Sequence, residues 1–268
     1  MATNLTTTTF ANTYKDDFKD SDNYHRILFN SGRALQAREL TQLQTIIQSE
    51  IGRFARNIFN EGAVVSPGGI TVNNNYEYIK LDETINSLAD NLPVVGEEWY
   101  VSPGSTIKFR ILRIVEADAT TGDPATLYVQ YTKTNGVASS SNPIRVSAGS
   151  QITTSGGATL DVLGSAATGV GTLASVAKGE YFTQDHFVFA AQQSFLLSKY
   201  SGTPTADIGF KVTEDIVTTD DTNALYDNQG AVPNTASPGA DRYRITLTLT
   251  SRDEIGSGEN FVFVARVV

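Results

Sequence analysis

The clearest pattern in the chain is a run of apolar residues spaced by three and four positions near its N-terminal end. This spacing places the apolar side chains along one stripe of an α-helix, and it predicts a helix from Ala34 to about Phe59. Most of the other residues in this segment are good helix formers, and Gly52 is the one interior residue that opposes the helix. The apolar stripe consists of Leu40, Leu43, Ile47, Ile51, Phe54 and Ile58.

A helix of this predicted length would extend for about 37 Å, which is more than a compact β domain needs to cover one face. We therefore expect the stripe to contact another subunit, and the alternative is that the stripe packs on its own domain. The same segment is locally basic, because Arg outnumbers Glu between residues 25 and 60. We count Arg33 and Arg38, which could face an acidic surface of a neighbouring subunit, with the stripe as candidate partner-binding residues.

After the helix, the sequence changes to short apolar runs separated by turn signals. Apolar and polar residues alternate between 107 and 114, and a Pro-Gly-Gly sequence at 67–69 marks a tight turn. Residues 135–180 are rich in Gly, Ser, Ala and Thr, so we expect a flexible insertion or thin, exposed hairpins that bury little surface. Further strands are predicted within 181–200, 208–217, 243–250 and 260–268.

These patterns divide the chain into four consecutive parts. The predicted fold class is α+β and mainly β, with an N-terminal extended arm and a long amphipathic helix followed by antiparallel sandwich-like or barrel-like parts. The arm and the assembly helix occupy residues 1–62, the first β-rich part 63–134, the insertion 135–180 and the second β-rich part 181–268.

Composition narrows the classes of partner. The chain has no Cys, so neither disulfides nor thiolate metal sites hold the fold together. A formal net charge of −9 argues against nucleic acid as a partner, because phosphate binding needs clustered Lys and Arg. The N-terminus lacks the features of a secretory signal, and nowhere do about twenty apolar residues follow one another. We therefore predict no nucleic-acid partner and no membrane partner.

The sequence offers little material for catalysis. Its two histidines, His25 and His186, are far apart in the chain, and neither belongs to a metal-binding or nucleophile motif. Adjacent carboxylate pairs such as Asp220 and Asp221 point in different directions on a strand, so they do not form the facing acids that glycoside hydrolysis requires. We predict that the chain is not an enzyme, and that it has no catalytic residues, cofactor or metal.

Several stretches resemble a family of virion structural proteins of contractile-tailed, T4-like phages, especially those that infect cyanobacteria. The first stretches carry YHRILF at 24–29 and GRALQARELTQLQ at 32–44, and further matches lie between 208 and 242, ending in PGADR. The resemblance implies a baseplate or fibre-attachment component in the virion tail, folded in the host cytoplasm before assembly, with no catalytic residues to transfer. It also implies other baseplate and tail proteins, sister copies and a tail fibre as partners, with a trimer favoured.

Three hypotheses about function follow. The first is a structural tail component that assembles through its N-terminal helix and a β platform. The alternative is a module that binds host-surface carbohydrate, which the eleven Tyr, the single Trp and the polar loops allow. A polysaccharide-degrading enzyme is the third, and it would need a carboxylate pair that lines a groove.

Overall fold

The computed structural model describes residues 10–82, 93–102, 107–134, 145–227 and 232–268. Antiparallel β-strands hold 47% of the residues and helices 14%, so the structure is mainly β, which confirms the predicted fold class in its coarse form. The helices are α1 (Ala11–Thr13), α2 (Ala37–Ala55) and the 3-10 turns Asp20–Asp22, Asn223–Leu225 and Arg252–Glu254. The strands of the first half are β1 (Val64–Ser66), β2 (Ile70–Lys80), β3 (Glu98–Ser102), β4 (Lys108–Val115), β5 (Thr126–Lys133), β6 (Gln151–Thr154) and β7 (Thr159–Asp161). The strands of the second half are β8 (Thr168–Val176), β9 (Gly179–Thr183), β10 (His186–Ala190), β11 (Gln193–Ser198), β12 (Ala206–Val217), β13 (Tyr226–Asp227), β14 (Asn234–Pro238), β15 (Arg242–Ser251) and β16 (Asn260–Val267).

Helix α2 is shorter at both ends than the apolar pattern predicts. At its start, the Glu39 carboxylate accepts a hydrogen bond from the backbone N–H of Gln36 at 3.0 Å, which fixes the first turn there. At its end the chain leaves the helix after Ala55 through two tight turns, in which the N–H groups of Ile58 and Phe59 both donate to the Ala55 carbonyl. Ile58 therefore lies just beyond the helix.

The chain folds into two compact units, and each unit is assembled from separate segments. Unit 1 comprises the described parts of Met1–Ile70, Ser175–Gln193 and Ala206–Val267. It contains α2 and two three-stranded antiparallel sheets, with strand orders β1-β9-β10 and β15-β12-β16. In the second of these sheets apolar side chains such as Phe210 are buried on one face, whereas ion pairs such as Lys211 with Glu259 lie on the other. This alternation is typical of a sheet with one solvent-facing side.

Unit 2 comprises the described parts of Thr71–Ala174 and Ser194–Thr205, together with the last residue. Its eight-stranded sheet has the order β11-β8-β2-β5-β4-β3-β6-β7. The core includes Trp99 and Phe109, both fully buried, and the Trp99 indole N–H donates to Glu97 at 2.9 Å. The alternation predicted at 107–114 corresponds to strand β4.

The expectation that residues 135–180 bury little surface is wrong for the described part, 145–180; residues 135–144 lie outside the described residues. Strand β8 lies inside the large sheet between β11 and β2, and Thr172 and Ala174 are fully buried there. A Cβ on Gly171 would lie 2.6 Å from the carbonyl oxygens of Ser198 and Lys199. The small residues of this stretch therefore allow close approach of the neighbouring strand.

Candidate functional site

The predicted stripe lies on the surface of unit 1. Among its members, Leu43 is half-buried and the other five are exposed; Phe54 has an exposed fraction of 70%. Arg33 and Arg38 are exposed as well. Large apolar side chains are normally buried, so this exposed row is a candidate interaction surface.

The other sides of α2 pack on unit 1, and they are mostly small and polar; Ile46 is the one large apolar side chain of the helix that is buried. Successive helical residues are related by about 100°, so Gly52, which is buried, lies roughly 130° around the helix from the centre of the stripe. On the inward side, Gln48 donates to the Asp185 carbonyl at 2.7 Å, and Arg56 pairs with the Asp185 carboxylate at 3.1 Å. The Thr45 hydroxyl donates to Asp16. A surface helix normally turns its apolar stripe to its own core, and α2 does the reverse.

Gly52 permits this close packing. A Cβ at this position would lie 2.7 Å from the Cβ of Asp185, closer than two non-bonded carbons normally approach. Asp185 belongs to the two-residue turn between β9 and β10, where Gln184 and Asp185 have φ values of 48° and 64°. The Glu61 carboxylate stabilises this left-handed turn by accepting hydrogen bonds from the Gln184 N–H at 2.9 Å and the Thr183 hydroxyl at 2.5 Å.

The segment before α2 neutralises part of the helix's positive charge. Arg53 pairs with Asp20 at 2.8 Å, and Arg38 lies 3.6 Å from Asp17. These side chains are about half-exposed, so each ion pair contributes little free energy, and salt screens it. The basic residues of α2 therefore serve in part to hold the acidic segment around Asp16 to Asp22 on the helix.

The exposed apolar surface continues beyond α2. At the C-terminal end of the stripe, Phe59 packs edge-on against Phe187 of β10, with ring centroids 5.6 Å apart. Phe187 and Phe189 point outward from this strand and are exposed. Before the helix, four further large apolar residues are exposed: Tyr24, Leu28, Phe29 and Leu35.

The segment that carries the stripe also matches a family model. Residues 12–86 match a family model described as a domain of unknown function, DUF4815. The match includes α2, β1 and β2, and it covers little more than a quarter of the chain. No curated protein and no solved structure matches the chain. No helix among the described residues is long and apolar enough to cross a membrane.

Unit 1 also contains a cavity of about 750 Å³, open to solvent, on the inward side of α2. Four segments distant in sequence surround it: the start of the described chain, α2, the β9–β10 turn, and the region where β12 ends and β15 begins. Their lining residues are Phe10, Tyr14, Thr41, Gln44, Thr45, Gln48, Ser49, Arg56, Asp185, His186, Ile216, Ala240, Asp241, Arg242 and Tyr243.

Hydrogen bonds to carboxylates hold the tyrosines of the cavity in place. The Tyr14 hydroxyl donates to Asp241 at 2.6 Å, and this bond, with burial, raises the pKa of Tyr14 to about 12. The Tyr243 hydroxyl donates to Glu214 at 2.8 Å. Burial, and to a smaller extent this hydrogen bond, raise the pKa of Tyr243 above the ordinary value of a tyrosine. Both phenols are therefore neutral at physiological pH. Phe10 packs edge-on against both rings, at centroid distances of 6.0 and 5.4 Å.

The two histidines lie apart, as their sequence positions suggest. His25 is exposed and its Nδ1 lies 3.4 Å from a Glu50 oxygen. His186 lines the cavity, and its Nδ1 lies 2.7 Å from the Gln184 carbonyl oxygen. Across the described ranges, no three residues of the types His, Asp and Glu are grouped as metal ligands would be.

Sequence reasoning identified the stripe but not the cavity. The cavity residues carry no motif, and the four segments meet only through the tertiary fold. The one signal available was the unusual Gln-Asp pair at 184–185, where a two-residue hairpin turn favours Asn-Gly. That signal becomes visible only once the flanking strands are known.

Proposed function

We propose that the chain is a non-enzymatic structural subunit of a phage tail, in the baseplate or fibre-attachment apparatus. It assembles through the stripe on α2, which acts as an amphipathic assembly helix. The observation that carries the proposal is the orientation of α2: its polar and small face packs on its own unit, and its apolar stripe faces solvent. The sequence resemblance to virion structural proteins of contractile-tailed phages supports the location.

The exposed apolar area is of the size that a specific interface needs. At roughly 200 Å² for a fully exposed large side chain, the five exposed stripe residues present about 500 Å². Phe187 and Phe189 add about 200 Å² by the same reckoning. The largest apolar patch on a typical monomer is about 300–600 Å², and a standard interface takes about 800 Å² from each partner. The surface around the stripe therefore fits a subunit contact better than a free surface.

The spacing of the stripe favours a helix as the contacting element. Ile47, Ile51 and Phe54, which lie within α2, follow one another at intervals of four and three residues, the repeat of a coiled-coil seam. Sister copies of the chain supply such a helix, and a trimer is the state that the resemblance favours. Other tail proteins, including a fibre, then bind the β-rich parts, which provide a platform. In unit 1 the edge-on contact of Tyr181 with Phe210, at 4.7 Å, supports sandwich-like packing of its two sheets.

The test replaces stripe residues with charged ones. The double variant Ile47→Asp and Phe54→Asp puts two carboxylates into the proposed interface, and neither side chain is buried within the free chain. We expect the purified variant to keep the circular dichroism and melting temperature of the wild type, to be monomeric by light scattering, and to be absent from purified particles.

A matched control adds the same charge elsewhere on the same segment. The double variant Gln42→Asp and Asn60→Asp lies off the stripe, and we expect it to assemble as the wild type does. If the stripe variant entered particles at the normal level, or if the control failed equally, the stripe would not be the assembly contact.

A further inference from the structure

We infer that the cavity of unit 1 is a binding site for a neutral saccharide. The site is distinct from the stripe, because it opens on the inward side of α2, and it does not rest on the proposed assembly function. A volume of about 750 Å³ falls within the roughly 300–1,000 Å³ range of small-molecule sites. It has room for an oligosaccharide of a few rings.

The charges that line the cavity cancel, which favours an uncharged ligand. Two arginines and two aspartates line it, and His186 is the remaining titratable group besides the neutral tyrosines. Arg56 pairs with Asp185 at 3.1 Å, and the Arg242 guanidinium donates to the Ala240 carbonyl at 2.6 Å. A phosphate or a sialic acid favours a site with an excess of arginine, and a cation favours an excess of carboxylates. The lining has neither excess.

One wall of the cavity is aromatic and held rigidly. Phe10, Tyr14 and Tyr243 form an edge-on cluster, and hydrogen bonds from both tyrosine hydroxyls to carboxylates fix the two outer rings. Sugar rings present C–H faces that pack on aromatic rings, and rings already fixed lose little conformational entropy on binding. A purely apolar ligand would leave the polar groups of the lining without partners.

Hydrogen-bonding groups that remain available also line the cavity. Within the described residues, the Gln44 amide makes no hydrogen bond, and Asp241 uses only Oδ2 to accept from Tyr14. A carbonyl oxygen only accepts, so the contact of the His186 Nδ1 with the Gln184 carbonyl puts the ring proton on Nδ1. Nε2 of the neutral ring is then an acceptor. An amide, a carboxylate oxygen and an imidazole nitrogen suit the paired donor and acceptor character of sugar hydroxyls.

The turn that delivers His186 is conformationally costly, which also points to a site. Left-handed φ values cost non-glycine residues roughly 1 kcal/mol or more, and Gln184 and Asp185 both adopt them. Glu61 and Gln48 hold the turn through hydrogen bonds to its backbone. Strained backbone held in this way is common where side chains must be placed accurately for a ligand.

The test begins with the full chain on an array of neutral oligosaccharides built from glucose, mannose, galactose and N-acetylglucosamine. Sialyllactose on the same array and inorganic phosphate in solution serve as charged probes. The strongest neutral glycan is then titrated by isothermal calorimetry. We expect saturable binding of at least one neutral glycan and none of either charged probe.

Variants locate the binding. Gln44→Ala should weaken it about tenfold, whereas Gln42→Ala, two residues away on the same helix and outside the cavity, should leave it unchanged. Tyr243→Leu should abolish binding, and Tyr243→Phe, which keeps the ring, should retain most of it. The stripe variant Ile47→Asp with Phe54→Asp should bind as the wild type, which separates this site from the assembly contact.

Three results would overturn the inference. The first is that no neutral glycan on the array binds the chain. The second is that the chain prefers sialyllactose or phosphate to the neutral glycans. The third is that the Gln44→Ala variant binds the neutral glycan with the affinity of the wild type. If the cavity variants bound no glycan but lost particle incorporation, the cavity would instead hold a segment of a neighbouring protein.

Discussion

The orientation of α2 can be tested at Gly52. In the interior of an exposed helix, Gly→Ala stabilises a protein by about 1 kcal/mol. Here the new Cβ would meet the Cβ of Asp185 at 2.7 Å and its Cγ at 3.1 Å, and overpacking of this kind costs about 1–3 kcal/mol. We therefore expect Gly52→Ala to lower the free energy of unfolding by up to about 2 kcal/mol.

A second substitution should make the effect of Gly52→Ala on the free energy of unfolding stabilising instead of destabilising. Asp185→Gly removes the clashing atoms and relieves the left-handed φ of 64°, while it loses the ion pair with Arg56, in which the Asp185 side chain is largely buried. In that background the Cβ introduced by Gly52→Ala has space, so this substitution should now stabilise the chain by about 1 kcal/mol. The coupling between the two sites should therefore be about 1–3 kcal/mol.

Urea denaturation followed by circular dichroism at the helical band measures all four members of this cycle. The single Trp99 lies in unit 2, so its fluorescence reports separately on that unit. If Gly52→Ala stabilised the otherwise wild-type chain, this face of α2 would not pack on the β9–β10 turn. The stripe would then have no reason to face outward, and the assembly proposal would lose its main support.

Three further predictions concern single positions. Glu61→Ala leaves the buried Thr183 hydroxyl without its acceptor and should lower the free energy of unfolding by about 1–3 kcal/mol in urea titrations. Phe109→Ala should lower the free energy of unfolding of unit 2 by about 3–5 kcal/mol, measured by the fluorescence of the single tryptophan. A hydrogen bond from Arg266 lowers the pKa of Asp207, so its stabilisation is present at neutral pH and lost as pH falls through the folded-state pKa. Asp207→Asn should therefore lower the melting temperature at neutral pH and not in acid.

The alternation at 107–114 predicted strand β4, and the structure explains an irregularity in that alternation. In β4 the buried positions are Phe109 and Ile111, and the next apolar residue that shares their face, Ile114, comes three positions later. The pairing explains this spacing, because Ile111 pairs with Val129 while Arg113, two residues on, pairs with the adjacent Tyr128. Leu112 is the extra residue of a β-bulge, which restores the original face for Ile114. A break in the alternation was therefore a structural signal.

Predictions from composition were wrong where a small residue packs against a part of the chain that is distant in sequence. Small residues in 145–180 predicted exposed hairpins, but Gly171 is small because the backbone at Ser198 and Lys199 lies against it. Similarly, Gly52 opposed the helix by propensity, yet its missing side chain admits Asp185. In both cases the determining contact comes from a residue far along the chain, and no local pattern contains it.

The outward stripe implies that α2 is only weakly stable until it is covered. A 19-residue helix is marginal in water by itself, and most helical stability in proteins comes from packing of an apolar face. In unit 1, α2 buries only Ile46 and Ala55 among its apolar side chains. Gln48, Arg56 and the exposed ion pairs of Arg38 and Arg53 supply the other contacts, and salt screens those exposed pairs.

Hydrogen exchange measures this weakness directly. The comparison uses the monomeric stripe variant, Ile47→Asp with Phe54→Asp. In this variant we expect the amides of α2 to exchange faster than those of β12, which is the central strand of the sheet β15-β12-β16. High salt should increase the exchange rate of α2 again. In the assembled wild type, α2 should be protected as strongly as β12, because its apolar face is then buried. Equal protection of α2 and β12 in the monomer would mean that the inward face alone stabilises the helix, and that assembly adds nothing to it.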